Sequence, residues 1–289
     1  MNRTAQPLDV GALRAALVGP WAQLDVVERT GSTNADLMAA ALAGAPDRTV
    51  LVAEHQESGR GRLARSWVSP PGSGLTVSVL LRPSGVSPSR FGWLPLLAGL
   101  AVLDAVRAVT DVPAGLKWPN DLLVGREPRK VAGILAEVAD PSRPAVVVGI
   151  GINVDSAPPD QPTATSLTAE SGRPVDRTAV LVELLTRLHE REAAWRAGRG
   201  DPETTRIRAD YRAGCLSLGS PVRVELPGGA SVSGIAEDVD GDGRLLLLDA
   251  TGHRRAVAAG DVVHLRPADR AHGDGSTGPA GADPRSPLR

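Results

Sequence analysis

Lys117-Trp-Pro-Asn-Asp-Leu-Leu-Val-Gly-Arg-Glu-Pro-Arg-Lys-Val-Ala-Gly-Ile-Leu-Ala-Glu137 alternates short apolar runs with charged turns. Residues 116–118, 122–124 and 131–138 read as strands, with Pro119 and Gly125 at the bends between them. The charged and amide side chains therefore fall at strand ends, where polar groups commonly line ligand pockets. Of the 32 basic residues in the chain, only Lys117 and Lys130 are lysine. A positive charge here is nearly always written as arginine, so a lysine marks a place where arginine does not serve. Lysine is a compact point charge on a thin stem, whereas arginine is a wide planar fork. A point charge in a tight pocket suits a carboxylate or phosphate oxygen. The plainer alternative is two surface lysines that happen to lie close together.

Outward from this stretch, residues 49–53, 75–81 and 145–154 read as buried strands. Residues 91–109 and 177–195 repeat apolar side chains at helical spacing, and residues 9–17, 35–43 and 203–213 read as shorter helices. Ser32 or Thr33 is placed to cap the second of these. Doubly wound helix–strand alternation is absent, so the fold class is α+β: a mixed β-sheet flanked by helices. After Gly219 the texture changes to period-two strands at 221–226, 231–235 and 257–265, with Gly-Gly and Asp-Gly turns, a small β-barrel module. The expected division is residues 1–217, 218–268, and a disordered tail at 269–289 too poor in apolar side chains to build a core.

The chain has 289 residues, 42% hydrophobic and 22% charged, with a formal net charge of -1. That balance gives no field for a nucleic-acid partner. A single cysteine, Cys215, excludes a disulfide framework and a cysteine metal cluster. No leader-type segment or uncharged apolar run of membrane length stands out, so the expected location is cytoplasmic. The five histidines have no ligand spacing, and there is no catalytic triad or general-acid pair.

Gly59-Arg-Gly-Arg-Leu-Ala-Arg65 lies in a long loop, 57–74. Glycine lets backbone amides approach an anion and arginine neutralises it. The dinucleotide pattern G-x-G-x-x-A fits loosely but requires a helix directly afterwards, which Pro70 and Pro71 forbid. A phosphate-binding P-loop needs Lys followed by Ser or Thr, and neither lysine qualifies. A flexible basic surface loop is the plain alternative. Asn120 and Asp121 could hydrogen-bond a phosphate and hold Mg²⁺ or an amine, or they form only a polar turn. Gly133, just inside the strand begun by Lys130, leaves room against bare backbone, and Asn153 tips the strand 145–154. Asp238-Val-Asp-Gly-Asp-Gly243 matches a calcium-loop spacing, yet its flanks are strands, so a β-hairpin turn is the better reading.

Taken together, Ser32-Thr-Asn34, Gln56 to Arg65, Lys117-Trp-Pro-Asn-Asp121, Lys130-Val-Ala-Gly-Ile-Leu135 and Gly149-Ile-Gly-Ile-Asn153 resemble the biotin protein ligases in order and content. The resemblance runs from about residue 25 to about residue 267. It implies a catalytic fold like that of class II aminoacyl-tRNA synthetases, followed by an SH3-like barrel. It further implies that ATP and biotin give biotinyl-5′-AMP, whose acyl group passes to a lysine of the biotin carboxyl carrier protein. Two anions must meet, which calls for preorganised positive charge and no covalent nucleophile. By resemblance, Lys130, Arg62 and Asp121 would be catalytic. Ser32, Thr33, Asn34, Gln56, Arg60, Gly61, Arg62, Lys130 and Gly133 would bind biotin. Arg65, Trp67, Lys117, Asn120 and Asn153 would surround the nucleotide, with Mg²⁺ at Asp121. The arginine loop would fold over the adenylate and shield it from water. Only about 25 residues precede the catalytic region, so a ligase without a DNA-binding domain is expected, as a monomer or weak homodimer. The alternatives are a lipoate or octanoate ligase or transferase of the same fold and a non-catalytic biotin sensor. The polar set at 32–34 with Gln56 suits a ureido ring and not a lipoyl chain.

Overall fold

The computed structural model describes residues 6–140, 144–258 and 260–264. The expected tail at 269–289 and the last residues of the small module lie outside them.

The larger unit is a seven-stranded mixed sheet. In chain order its strands are β1 (Gln23–Thr30), β2 (Thr49–Gln56), β3 (Gly74–Leu81), β4 (Ala114–Lys117), β5 (Asp121–Val124), β6 (Arg129–Asp140) and β7 (Ala145–Asn153), and across the sheet they run β1-β2-β3-β7-β6-β5-β4. Only β1 and β2 are parallel; every other pair is antiparallel. Alternation sorts the side chains between two faces. Val50, Val52, Val79, Val146 and Val148 enter the main core. Leu51, Leu80 and Val147 point the other way. The main-core face carries α1 (Val10–Leu17), α3 (Trp93–Val109), the short α4 (Leu167–Ser171) and α5 (Arg177–Ala197), and the other face carries α2 (Thr33–Leu42). Asp9 caps α1 and Ser32 caps α2, each accepting from the backbone three residues on. α3 is apolar enough for a membrane by composition, but it is buried against α5 and β4–β7 and serves as the core helix. Each fully buried Leu or Val on it contributes roughly 1.5–3 kcal/mol.

The registers place one set of strand termini side by side. Thr30 lies opposite Gln56, Gly74 opposite Asn153, Gly133 opposite both Gly151 and Asp121, and Asp121 opposite Lys117. The ends of β1, β2, β5 and β7 and the starts of β3, β4 and β6 therefore share one margin of the sheet, and Lys117, Asp121, Gly133 and Gly151 stand level with one another about two residues in from it. Arg177, 5% exposed, fixes that margin from behind. It donates to Gly74 O, Gln6 O and Glu54 Oε2 at 2.9, 2.8 and 2.8 Å.

The smaller unit is a five-stranded antiparallel sheet of β8 (Pro221–Glu225), β9 (Ser231–Val239), β10 (Leu245–Leu248), β11 (Arg254–Val257) and β12 (Asp261–His264), in the order β11-β10-β9-β8-β12. The strand expected over 257–265 is two strands broken near Gly260. A Cβ there would stand 2.5 Å from Val224 Cγ1 and 2.9 Å from Glu225 O, so a side chain at this position would collide with β8. The Asp-Gly segment at 240–243 is the β9–β10 hairpin turn, with Asp240 accepting from the amides of Asp242 and Arg244. The same turn docks the small sheet: Trp93 Nε1 donates to Gly241 O at 2.9 Å and Trp118 Nε1 to Gly243 O at 3.2 Å. The helix expected over 203–213 is shorter, α6 (Ile207–Gly214), preceded by turns.

Candidate functional site

A cavity of about 880 Å³ opens on the α2 side of the sheet and reaches the shared margin of strand ends. Its walls take in Ser32, Thr33, Asn34, Gln56, Arg60, Gly61, Arg62, Arg65, Trp67, Lys117, Asn120, Asp121, Lys130, Gly133 and Asn153, so all fifteen residues singled out in the sequence meet in one place. A volume near the upper end of ordinary ligand pockets leaves room for two substrates side by side.

One end of the cavity is a buried polar cluster at the start of α2. Gln56 Oε1 accepts from Thr33 N at 2.8 Å and from Thr33 Oγ1 at 2.9 Å. Ser78 Oγ lies 2.7 Å from Thr33 Oγ1 and 2.6 Å from Asn34 Oδ1. Asn34 Nδ2 donates to Glu137 Oε2 at 2.8 Å. Ser78 and Glu137 escaped the sequence reading. Ser78 had a signal, being with Thr76 one of two hydroxyls in a strand of otherwise apolar residues that is buried along its whole length. Glu137 had none, because its partners are about 100 positions away in sequence.

The floor is made of glycine. Gly149 and Gly151 on β7 and Gly133 on β6 face the α2 side, while Ile150 and Ile152 between them face the core. A Cβ at Gly149 would stand 2.1 Å from Asn34 Oδ1, and one at Gly151 would stand 2.3 Å from the Trp67 ring. Gly133 was expected to leave open room for a ligand. The room exists, but the Trp67 indole fills it, 3.2 Å from where a Cβ would be. Trp67 Nε1 is buried without a hydrogen-bond partner among the described residues.

The other end is cationic. Lys130 Nζ lies 2.7 Å from Asp121 Oδ1 and 6.0 Å from the Trp67 ring centre. Its backbone is clamped, since Lys130 N donates to Thr163 O and Thr165 N to Lys130 O, both at 2.8 Å. Asn120 spans the bend: Nδ2 donates to Ile134 O at 3.0 Å, and Oδ1 accepts from Arg62 Nη1 at 3.0 Å. Asn153 Nδ2 donates to Thr165 O at 3.1 Å, while its buried Oδ1 has no donor among the described residues and can accept one from a ligand.

The arginine loop is folded back on itself: Arg60 bridges Ser66, and a short 3₁₀ turn, Arg62–Ala64, makes the tip. Leu63 at that tip has φ +54°, a conformation that glycine adopts more readily. Arg60 Nη2 lies 3.5 Å from Glu137 Oε2. Arg62 donates to Gly260 O at 3.3 Å, and Arg65 Nη2 lies 2.5 Å from Asp261 Oδ2. Burial pushes the Arg62 guanidinium down, and Asp261 and Asp121 hold it up. His264 lines the cavity near Lys117, with Nε2 3.1 Å from Ser217 Oγ. Its imidazole is held below the ordinary value by burial first and by Lys117 second. Asp261 and His264, both on the small sheet, went unnoticed in the sequence.

Among the described residues no cluster of three or more acidic, histidine or cysteine side chains could hold a metal ion. Asp121 is one of the carboxylates on the cavity wall, and magnesium is typically held by one or two carboxylates plus substrate phosphates.

Residues 26–155 match the Biotin/lipoate A/B protein ligase family, and residues 217–265 match the Biotin protein ligase C terminal domain. The chain is 49% identical over 273 residues to the biotin–[acetyl-CoA-carboxylase] ligase of Mycobacterium tuberculosis, covering 92% of this chain and 98% of that protein. It is 35% identical to the enzyme of the same name from Paracoccus denitrificans, over 82% of this chain and 98% of that one. The solved biotin protein ligase from Aquifex aeolicus in complex with biotin and ATP superposes with a TM-score of 0.71 at 31% identity, covering 85% of this chain and all of that one. The small sheet and these relatives favour biotin over lipoate as the acid. The chain belongs to the biotin protein ligase family and is an enzyme of that kind, a biotin–protein ligase.

Proposed function

We propose that this chain condenses biotin with ATP to biotinyl-5′-AMP and pyrophosphate, then transfers the biotinyl group to a lysine of the biotin carboxyl carrier protein. The observation that carries the reading is one cavity with a polar, amide-rich end and a cationic end. Ser32, Thr33, Asn34 and Gln56 offer donors and acceptors to a ureido ring. Gly133 leaves the space that the bicycle takes once Trp67 moves. Lys130 sits between the two reacting anions, with Arg60, Gly61 and Arg62 closing over them. Arg65, Trp67, Lys117, Asn120 and Asn153 surround the nucleotide.

A biotin carboxylate oxygen attacks the α-phosphorus, the O–P bond forms and pyrophosphate leaves. Lys130 and Arg62 stabilise the charge that gathers on the phosphoryl oxygens, in a site where fixed charges act more strongly than in water. In the second step the carrier amine attacks the acyl carbon, an amide forms and AMP leaves. Asp121 would hold Mg²⁺ brought by the nucleotide, where the ion would neutralise phosphate charge. The chain is taken to act in the cytoplasm as a monomer or weak homodimer, without nucleic acid, with residues 1–217 catalytic and 218–268 a separate small module.

Pyrophosphate release should require biotin and fail with lipoate, and the biotinyl group should appear on apo carrier protein. Release with neither acid would overturn the reading, and release with lipoate alone would move it to the alternative ligase.

A further inference from the structure

Each cation of the site has a carboxylate at ion-pair distance, except Lys117, which has no acidic side chain that close among the described residues. Lys130 sits on Asp121 at 2.7 Å. Arg60 faces Glu137 at 3.5 Å. Arg65 and Arg62 lie 2.5 and 3.9 Å from the two oxygens of Asp261. Asp261 differs from the other two acids in coming from the small sheet, at the first position of β12. Its side chain is 17% exposed, and it follows Gly260, whose carbonyl accepts from Arg62 at 3.3 Å. Arg65 itself is 64% exposed, so little other than this carboxylate orders it.

We propose that Asp261 is a positioning residue for the arginine loop: it holds Arg62 and Arg65 over the site as a stand-in anion and releases Arg62 to the nucleotide phosphates when they arrive. The proposal gives the small sheet a part in the reaction, as the far anchor of a loop rooted in the large unit, and in its second half it rests on the proposed function. Pairing the arginines in advance lowers the repulsion among five clustered cations, Arg60, Arg62, Arg65, Lys117 and Lys130. It also spares the loop much of the ordering cost at the moment of binding. The nucleotide phosphates carry more charge than one carboxylate, so the exchange runs toward the ligand.

Limited trypsin digestion of the full chain, with the cuts after Arg60, Arg62 and Arg65 followed by mass spectrometry, tests this. In ligand-free protein, Asp261→Asn should raise the rate of these cuts about threefold to tenfold, the change that losing one or two modest ion pairs produces. Asp261→Glu should restore much of the protection, and 0.5 M salt should bring the wild type toward the Asn variant. With biotin and ATP present, the gap between wild type and Asp261→Asn should close. Loop cuts unchanged in Asp261→Asn, or accelerated equally at sites throughout the chain, would overturn the anchoring. A gap that persists at saturating ligand would overturn the hand-over. The ligand-free measurements do not depend on catalysis, so wild-type protein that releases no pyrophosphate would sink the functional reading and leave the anchor to be judged on its own.

Discussion

Lys130→Arg keeps the positive charge and changes only its shape, so it isolates the reason the chain uses lysine here. The backbone at this position cannot retreat, because both its amide and its carbonyl are bonded to the segment around Thr163 and Thr165. The ammonium has little space around it: a Cβ at Gly133 would stand 3.3 Å from both Cε and Nζ. A guanidinium is longer and wider, so it must rotate away from Asp121 or push the Trp67 ring off the glycine floor. Either way its donors no longer point where the carboxylate and α-phosphate meet. Losing one preorganised donor to developing charge costs roughly 2.7–4 kcal/mol, or about 10²–10³ in rate. Arginine retains the long-range attraction, so the expected loss in adenylate formation is about a hundredfold. Folding should hardly change, because a partly exposed ion pair is worth at most about 1 kcal/mol and arginine can still make one. The melting temperature should therefore move by less than about 4 °C. Lys130→Ala should be worse for stability, since it strands the Asp121 carboxylate, at a cost of about 1–3 kcal/mol. Single-turnover formation of biotinyl-AMP, read beside thermal unfolding, separates the two effects. Near-normal turnover in Lys130→Arg would refute the point-charge argument.

Other positions give independent checks. Arg62→Ala should speed dissociation of the adenylate about tenfold, as followed by chase with unlabelled adenylate, because the site loses the guanidinium that would hold the phosphate and the loop loses its contacts to Asn120 and Gly260. Glu137→Gln keeps an acceptor for Asn34 but drops the charge facing Arg60; KM for biotin should rise about fivefold with little change in kcat. Arg177→Met removes the charge paired with Glu54 Oε2 and the donor to two carbonyls and should destabilise the fold by about 3–5 kcal/mol, seen as a lower denaturant midpoint. Burial and Lys117 depress the His264 imidazole, so the folded state resists the proton that the unfolded chain accepts. That contribution is present above about pH 6.5 and is lost as pH falls through the folded value. His264→Gln should narrow the drop in melting temperature between pH 7.5 and 5.5; an undiminished drop would assign the effect elsewhere, first to His189, which shifts the same way.

The parts of the site legible in the sequence are local. Ser32, the bend at Asn120 and Asp121, and Lys130 with Gly133 each sit at a cap, turn or strand start whose signal spans a few residues. The glycines of β7 were visible as letters, but their common face became evident only with the register that sets Gly133 opposite Gly151. Glu137, Asp261 and His264 act through contacts across the fold, and nothing near them in sequence distinguishes them from surface polar residues. The misread strand at 257–265 has the same origin. Period-two hydropathy runs through Gly260, and the break follows from the topology, in which β11 pairs with β10 at one edge of the small sheet and β12 pairs with β8 at the other.

The two lysines lie on either side of Asp121 for a topological reason. β4, β5 and β6 are successive antiparallel neighbours, with Asp121 opposite Lys117 on one side and Gly133 on the other. A separation of 13 residues thus folds into neighbouring positions around Asp121, and yet the two positions are not equivalent. Lys130 is held at 2.7 Å by Asp121, under the Trp67 ring. Lys117 has no acid at ion-pair distance among the described residues, and its neighbour Trp118 is drawn away to the small sheet through Gly243 O. Without a paired carboxylate to displace, Lys117 can serve a mobile nucleotide phosphate with a wider head group as well as a narrow one. Lys117→Arg should accordingly cost less than about tenfold in adenylate formation and appear chiefly in KM for ATP, because what it keeps is the charge. Lys117→Arg proving as damaging as Lys130→Arg would mean that both ends of the site demand a point charge, and the distinction drawn from the Asp121 pairing would fall.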